Sequence, residues 1–430
     1  MNFPDKEKNQ KIREVFKKEE SKFKRGEILD HLLNLEKVNS IRIIDIRNTY
    51  IQSDGTLVGT VELEDGRRLP FQGDKLIEEI GGEKIMHTRD LCVLPDGTLV
   101  GIVKLKDDRS ILFRGNEFIK EIGGKKIENV RDIYIQPDGT LAGIVQLEDG
   151  RYALSQGNKL IEEIGGEKIR GAVDLYIQPD GTLAGTVKLE DSGWLPFQGD
   201  KLIEEIEGEK IKMPWKVYAQ PDGTLAGLIQ LEDGRFLPFQ GNKLIKEIEG
   251  EKVKRAWKVY AQPDGTLAGL IQLEDGRFLP FQGNKLIKEI EGEKVKRTWS
   301  VYVQPDGTLL AGLIQLEDGR FALFQGNKLI EEIEGEEIRF VSKICIQPDG
   351  TLAGIFHLED GRHAFFQGNK LIEEIEGERI DHIYNINTQP DGTLVGITKL
   401  KSGAIIKFFW DGERVITRHA KSLSDFDFLD

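Results

Sequence analysis

The sequence predicts an all-β fold, a β-propeller of nine four-stranded blades preceded by a short N-terminal helical extension. Three observations predict it. An Asp-Gly-Thr-Leu signature recurs with its Asp at Asp54, Asp96, Asp138, Asp180, Asp222, Asp264, Asp306, Asp349 and Asp391. Each unit holds four runs of strand length divided by turn residues, and the 3.6-residue apolar spacing of helical repeats is absent. Four antiparallel strands every 40–45 residues or so is the period of a propeller blade. The step is 42 residues except for one of 43, where the doubled leucine Leu309-Leu310 predicts a bulge or slip in one blade. Because nine exceeds the usual blade number, an eight-bladed ring with one atypical repeat, or an open array, is the alternative.

The expected domains are 1–40, a helical extension and possible closing strand; 41–419, the nine repeats; and 420–430, an acidic and aromatic tail. In 7–24, Ile12, Val15, Phe16 and Phe23 share one helical stripe, and a second apolar stretch runs from Ile28 to Leu35. The 7–24 helix docks on the propeller or meets a partner. The tail Ser424-Asp-Phe-Asp-Phe-Leu-Asp430 alternates acidic and apolar residues, which suits either insertion into a basic partner pocket or fraying. Leu35–Ile43 and Arg414–Thr417 both align with an outer strand, so one of them is expected to latch the first blade to the last.

Within a repeat, Asp174-Leu-Tyr-Ile-Gln178 and Thr182–Leu189 are strands joined by Pro-Asp-Gly, where Gly181 supplies the left-handed turn position. In the preceding repeat Glu148-Asp-Gly-Arg151 is a hairpin signal leading to Tyr152–Ser155, and Leu160–Ile164 is the outer strand before Gly165-Gly166. A glycine at the fourth position of every second strand, such as Gly185 and Gly269, is expected where neighbouring sheets converge. Pro70, Pro196, Pro238 and Pro280 predict a bulge or gap in the third strand, since proline cannot donate to the ladder.

The run Trp257-Lys-Val-Tyr-Ala-Gln-Pro-Asp-Gly-Thr-Leu-Ala-Gly269, followed by Glu274-Asp-Gly-Arg277, resembles the tectonin-type propeller repeat over about half of each unit. That resemblance implies a propeller fold and a glycan-binding lectin as one functional alternative. The aromatic of the family's second strand is replaced here by Leu267-Ala268, which separates this chain from the lectin pattern.

With 39% apolar residues the chain can bury a large core, and a formal charge of −14 disfavours a general nucleic-acid or membrane-surface binder, leaving only a local patch. Met1–Lys11 lacks an apolar core of signal-peptide length and no apolar run spans a membrane, so a cytoplasmic location and no membrane partner are expected. Cys92 and Cys345 occupy the position where most repeats carry Tyr and read as buried substitutes for the ring. The six histidines show no metal-ligand spacing, and the paired acids such as Glu162-Glu163 read as a solvated outer edge. No catalytic residue, metal site or cofactor is predicted; the chain is read as a non-enzymatic binding scaffold.

The nine copies disagree in one window, from ten to six residues before each signature Asp: Ile44–Asn48, Met86–Asp90, Glu128–Asp132, Arg170–Asp174, Lys212–Lys216, Lys254–Lys258, Lys296–Ser300, Arg339–Lys343 and Asp381–Asn385. The windows are expected to end the crossing from one blade's outer strand to the next blade's inner strand, all on one face near the mouth of the channel. In the fifth to eighth repeats they hold nine Lys or Arg in 20 residues and no acid, inside an acidic chain. The predicted ligand site is therefore Lys212, Trp215, Lys216, Lys254, Arg255, Trp257, Lys258, Lys296, Arg297, Trp299 and Arg339. Cations interleaved with flat rings suit a polyanion such as single-stranded nucleic acid or an anionic glycan, or an acidic protein segment. Packing between blades is the competing reading of the tryptophans. The competing function is a structural spacer that makes its contacts through its two ends.

Overall fold

The computed structural model describes residues 27–420 apart from 53, 137, 304–309, 359–360, 362 and 390. The 7–24 helix and the 424–430 tail of the sequence reading lie outside the described residues. The chain divides into two units, one chiefly 31–235 and the other chiefly 245–430 with Phe236–Pro238. Both are built from the same small antiparallel sheet, its strands in sequence order, one per repeat except that a parallel contact at Arg68↔His87 joins the first two repeats into one nine-stranded sheet.

The sixth repeat shows the plan. Its first strand is Glu251–Ala261, its second Leu267–Leu273, its third Phe278–Gln282 and its fourth Lys285–Leu286. The Gln-Pro-Asp-Gly-Thr turn closes through Gly265 N–H to the Gln262 carbonyl at 3.0 Å, with Thr266 N–H donating to Asp264 Oδ1 at 2.8 Å. Gly265 stands at φ +84°, the left-handed conformation expected of it. The Glu-Asp-Gly-Arg turn is held by its arginine: Arg277 donates to the Asp275 carboxylate from its backbone N–H at 2.9 Å and its Nε at 2.6 Å, and these bonds hold that carboxyl below its ordinary pKa.

Three sequence expectations change at the level of the sheet. The outer strand is two pieces: Lys159–Ile161 completes its own sheet, whereas Glu163–Ile164 pairs with Glu167 and Lys168 at the start of the next repeat's first strand. The crossing is therefore made at Glu162, between the two pieces, and the Gly165-Gly166 turn joins Glu163–Ile164 to Glu167–Ile177 within the next sheet. The variable windows do not end that crossing; Arg170–Asp174, for example, lies inside the strand Glu167–Ile177. The prolines leave the pairing of second and third strands in register, as Leu270↔Pro280 shows. The gap falls between third and fourth strands, where Leu154 pairs with Ile161 but the proline repeats stop one pair earlier, at Phe281↔Leu286.

The repeated glycine has a cause within its own sheet. A Cβ on Gly269 would fall on the Lys258 carbonyl oxygen of the first strand and 3.1 Å from Phe281 Cε1 of the third. The carbonyl intrudes because the first strand bulges: Ala256 pairs with Ile271 and Lys258 with Leu270, leaving Trp257 as the extra residue. Trp215 and Trp299 occupy the same bulge in their repeats.

Apolar cores lie between consecutive sheets, as where Ala311, Leu313 and Leu323 of the seventh repeat meet Val341, Phe356 and Phe366 of the eighth. Buried glutamines join the sheets: Gln347 Nε2 donates to the Gly392 carbonyl at 2.8 Å and its own Oε1 accepts from Gln367 at 3.0 Å. The Leu309-Leu310 insertion neither slips nor bulges the described strands beyond their common pattern, for Val303↔Leu310 and Tyr302↔Ala311 keep the register of the other repeats.

Leu35–Val38, aligned in the sequence with an outer strand, belongs to the helix Glu27–Asn39 and latches no sheet as a strand. The helix buries Leu32 and Leu35, and Asn34 and Asn39 bond Asp74 at 2.6 and 3.1 Å. Asp74 belongs to the turn between third and fourth strands. At the corresponding turn of the second repeat, Asn116 receives the Gly81 N–H of the repeat before it at 3.2 Å, so the helix end takes the place of a preceding repeat. Asp30 pairs with Arg414 at 2.7 Å. Val415–Ala420, the other candidate latch, completes its own repeat as the fourth strand, pairing with Ile405–Trp410.

Candidate functional site

In the second unit the bulge turns Trp257 and Trp299 outward, 50% and 48% exposed, so they are not the blade-to-blade packing residues of the competing reading. Each carries a guanidinium on its face. Arg255 lies 4.5 Å from the Trp257 ring and 4.2 Å from the Phe236 ring; Arg297 lies 4.5 Å from Trp299 and 4.9 Å from Phe278. Trp257 and Phe278 meet at 6.2 Å, and Trp299 and Phe321 at 6.3 Å. The result is a continuous ladder, Phe236, Arg255, Trp257, Phe278, Arg297, Trp299, Phe321, across consecutive repeats.

Register explains the assembly. Arg255 pairs with Gln272, and Gln272 with Phe278, so these three columns project from one face of the sheet, and the phenylalanine of each sheet meets the arginine of the next. Among the described residues, Lys254, Arg255, Lys296 and Arg297 form no ion pair with a carboxylate. That distinguishes them from the turn arginines Arg235, Arg277 and Arg320, each bonded to the Asp two residues before it. The Arg255 Nε is buried without a hydrogen-bond partner. Lys254 and Lys296 are exposed on the same strands, and Arg339 is exposed just before the strand Phe340–Ile346.

Lys258 leaves this row. Its Nζ sits 4.8 Å from the Tyr302 ring, where burial lowers its pKa. Lys212, Trp215 and Lys216 lie in the first unit. Trp215 is 55% exposed, but Lys216 is engaged by Asp174 at 2.5 Å and its charge is internally balanced. Of the predicted eleven, Arg255, Trp257, Arg297 and Trp299 thus form the ladder with Lys254 and Lys296 beside it, Lys258 turns to Tyr302, and Lys212, Trp215 and Lys216 belong to the first unit.

The first unit fills the equivalent slot differently. Arg68, at the Phe278 position, donates to Glu62 Oε2 at 3.1 Å and to His87 Nε2 at 3.1 Å. Burial, then the nearby Arg68, Arg89, Arg47 and Lys104, push His87 down to about 4. There the cation has its own acid.

Two features escaped the sequence reading. The phenylalanines at the head of the third strand complete the ladder, and their column varies among repeats as much as the windows do: Arg68, Ser110, Tyr152, Trp194, Phe236, Phe278, Phe321, His363, Ile405. The histidines are not all scattered, for His357 meets His363 edge-on and His363 meets His382 tilted, with ring centroids 4.3 and 4.4 Å apart. Cys92 and Cys345 are free thiols and only partly buried; the Cys345 Sγ reaches the Ile386 carbonyl at 3.5 Å, as Tyr260 Oη reaches that of Val301 at 3.3 Å. The outer-edge acids are not all free in solvent, since Glu162 pairs with Lys125 at 2.6 Å and Arg151 at 2.9 Å. A cavity of about 380 Å³ between the seventh and eighth sheets is lined by Leu323, Ile333, Leu352 and Phe366. No helix among the described residues is long and apolar enough to cross a membrane.

No protein-family model and no curated protein matches the chain. Among solved structures, it is similar to the Dos1 propeller at 10% identity and a TM-score of 0.37, over 88% of this chain and 96% of that one. It is similar to the computationally designed Ika8 protein at 10% identity and 0.34, over 75% and 95%, and to the WD40 β-propeller domain of Doa1 at 13% identity and 0.29, over 67% and 94%.

Proposed function

We propose that this chain is a non-enzymatic recognition module of the β-propeller kind, whose Arg–Trp ladder binds an anionic polymer. The observation that carries the reading is the pair of exposed tryptophans, each faced by an arginine with no carboxylate partner, in consecutive repeats of a chain whose net charge is −14. A cation held on aromatic faces is partly desolvated and lacks a counter-charge, a condition an incoming anion relieves. The regular spacing of rungs from sheet to sheet offers a polymer several equivalent contacts, which a small anion cannot use.

Binding of the full chain to oligodeoxythymidine, a heparin oligosaccharide and polyglutamate at two salt concentrations tests this. Affinity for at least one should fall steeply with salt, with a slope set by the number of charges neutralised. Lys254→Gln, Arg255→Gln and Lys258→Gln together should reduce that slope. Trp257→Ala should lose about 1–3 kcal/mol of binding when a base or sugar ring stacks there. Preference for polyglutamate would make the ligand an acidic protein segment. No binding to any probe at low salt by the folded chain refutes the reading and leaves the spacer, with contacts through the ends.

A further inference from the structure

The slot that holds Arg297 and Phe278 in the sixth and seventh repeats holds imidazoles in the eighth and ninth. His382 stands at the arginine position of its window, His363 at the phenylalanine position of the preceding sheet, His357 in the strand between, and Tyr384 at the tryptophan position. The rings form one row: Phe340 to His357 at 5.0 Å, His357 to His363 at 4.3 Å, His363 to His382 at 4.4 Å and His382 to Tyr384 at 4.8 Å. The row keeps the ladder's positions and changes their occupants: His382 stands for an arginine, His363 for a phenylalanine and His357 for a glutamine.

We infer that His357, His363 and His382 form a proton-dependent extension of the anion site, resting on the polyanion reading of the ladder. Neutral, they leave the eighth and ninth repeats an aromatic row without charge; protonated, they take further sulfate, phosphate or carboxylate groups of the same polymer.

The bonding of the row supports both states. Ile383 N–H donates to His363 Nδ1 at 3.3 Å, which makes that nitrogen an acceptor in the resting ring, and the buried His357 Nε2 has no hydrogen-bond partner among the described residues. Burial holds His363 down to about 4, with His357 and His382 adding repulsion, and burial lowers His357 as well. An anion beside the row reverses that balance by supplying the counter-charge. The charged groups on the packed elements are Arg339 beside Phe340, and Asp381 with Lys399, which pair with each other at 3.4 Å. The sequence places Glu359, Asp360 and Arg362 between the strands of His357 and His363. Asp381 favours the charged form of His363, and among the described residues no other carboxylate does so.

Calorimetry of the full chain with the heparin oligosaccharide and the oligodeoxythymidine, in buffers of different ionisation enthalpy, reads affinity and proton uptake together. From about pH 7.5 to about pH 5.5 affinity should rise about tenfold or more, with about one proton or more taken up per chain at the lower pH. His363→Gln with His382→Gln should keep the affinity at the higher pH and lose both the gain and the uptake. His87→Gln, in the other unit, should keep them. Urea midpoints at both pH values show whether each variant is folded. Binding at the higher pH with no proton uptake, or an equal gain in the double variant, overturns the extension and leaves the ladder standing. Absence of binding at the higher pH, in wild type as in Arg255→Gln with Arg297→Gln, refutes the ladder itself and the extension with it.

Discussion

Gly269→Ala tests the link between the repeat's backbone and its candidate site. The new methyl would fall on the Lys258 carbonyl oxygen, far inside van der Waals contact, and 3.1 Å from Phe281 Cε1. The ring can swing, but the carbonyl belongs to the bulge that turns Trp257 outward, so relief must move backbone. Overpacking that shifts backbone costs about 1–3 kcal/mol, and loss of the adjoining Lys258↔Leu270 pairing places this site at the upper end. Two controls calibrate it. At Gly59 the nearest atom is Phe71 Cε1 at 2.8 Å with the Arg47 carbonyl only at 3.1 Å, so Gly59→Ala should cost less. Gly276 has nothing within 4 Å but stands at φ +93°, so its cost is backbone conformation alone, roughly 1–2 kcal/mol. A chain of repeats can unfold in parts, so hydrogen exchange of the amides in Glu251–Ala261 and Leu267–Leu273 under increasing urea is the appropriate assay. Gly269→Ala should also weaken polyanion binding although Arg255, Trp257 and Lys258 remain. A variant as protected as wild type would show that the first-strand carbonyl does not dictate this glycine.

Trp257→Ala should cost the fold only about 1–2 kcal/mol, since half the ring is exposed and the stacked Arg255 contributes on the scale of a surface cation–π pair; urea midpoints check it. Gln347→Leu should cost about 1–3 kcal/mol by the same measurement, because it leaves the buried Gly392 carbonyl and Gln367 amide without their partner. Stability should decline on acidification. His87 and His363 are held down to about 4 against an ordinary 6.5, so the unfolded chain binds the protons first. Their contribution is complete above 6.5 and is lost as pH falls from there to about 4. His87→Gln with His363→Gln should flatten the urea midpoint across that window.

The first three strands of each repeat and the two turns between them were legible because Asp-Gly-Thr and Asp-Gly-Arg fix both ends of the second strand, whereas the outer strand, read as one, is two pieces in different sheets. Leu35–Val38 misled because an apolar alternation of four residues fits a strand and a helical turn equally, and only the packing of Leu32 and Leu35 decides. The windows revealed the basic half of the candidate site, since one column of variation is visible in a linear alignment. The aromatic half was not legible in the same way. Phe278 lies twenty-one residues after Trp257 in the chain and nineteen before Arg297, and it joins them only through cross-strand register within its own sheet and packing against the next. The glycine was located correctly, but its cause depends on a one-residue bulge that no residue type announces.

The scaffold's regularity is what gives its irregular positions meaning. A first-strand bulge and a second-strand glycine recur from repeat to repeat, the bulge falling one residue later in the first, second and fourth, so the slot between the head of one third strand and the window of the next repeat keeps its place while its contents change. In the first two repeats it holds Arg68 between Glu62 and His87, a cation with its acid in place. In the sixth and seventh the acid column has become Gln272 and Gln315 and the third-strand position Phe278 and Phe321, and the cation comes instead from the windows as Arg255 and Arg297, with no acid in the slot to pair it. Pure structural need would favour keeping the pair, because a charge on a partly buried face costs less with its counter-ion beside it. A window arginine without an acid beside it, next to an outward tryptophan, is what a site whose counter-ion arrives from outside would show. An acid restored there should close it: Gln272→Glu should stabilise the sheet by capturing Arg255 and, at the same time, weaken the polyanion. If stability and binding rise together, the counter-ion argument fails.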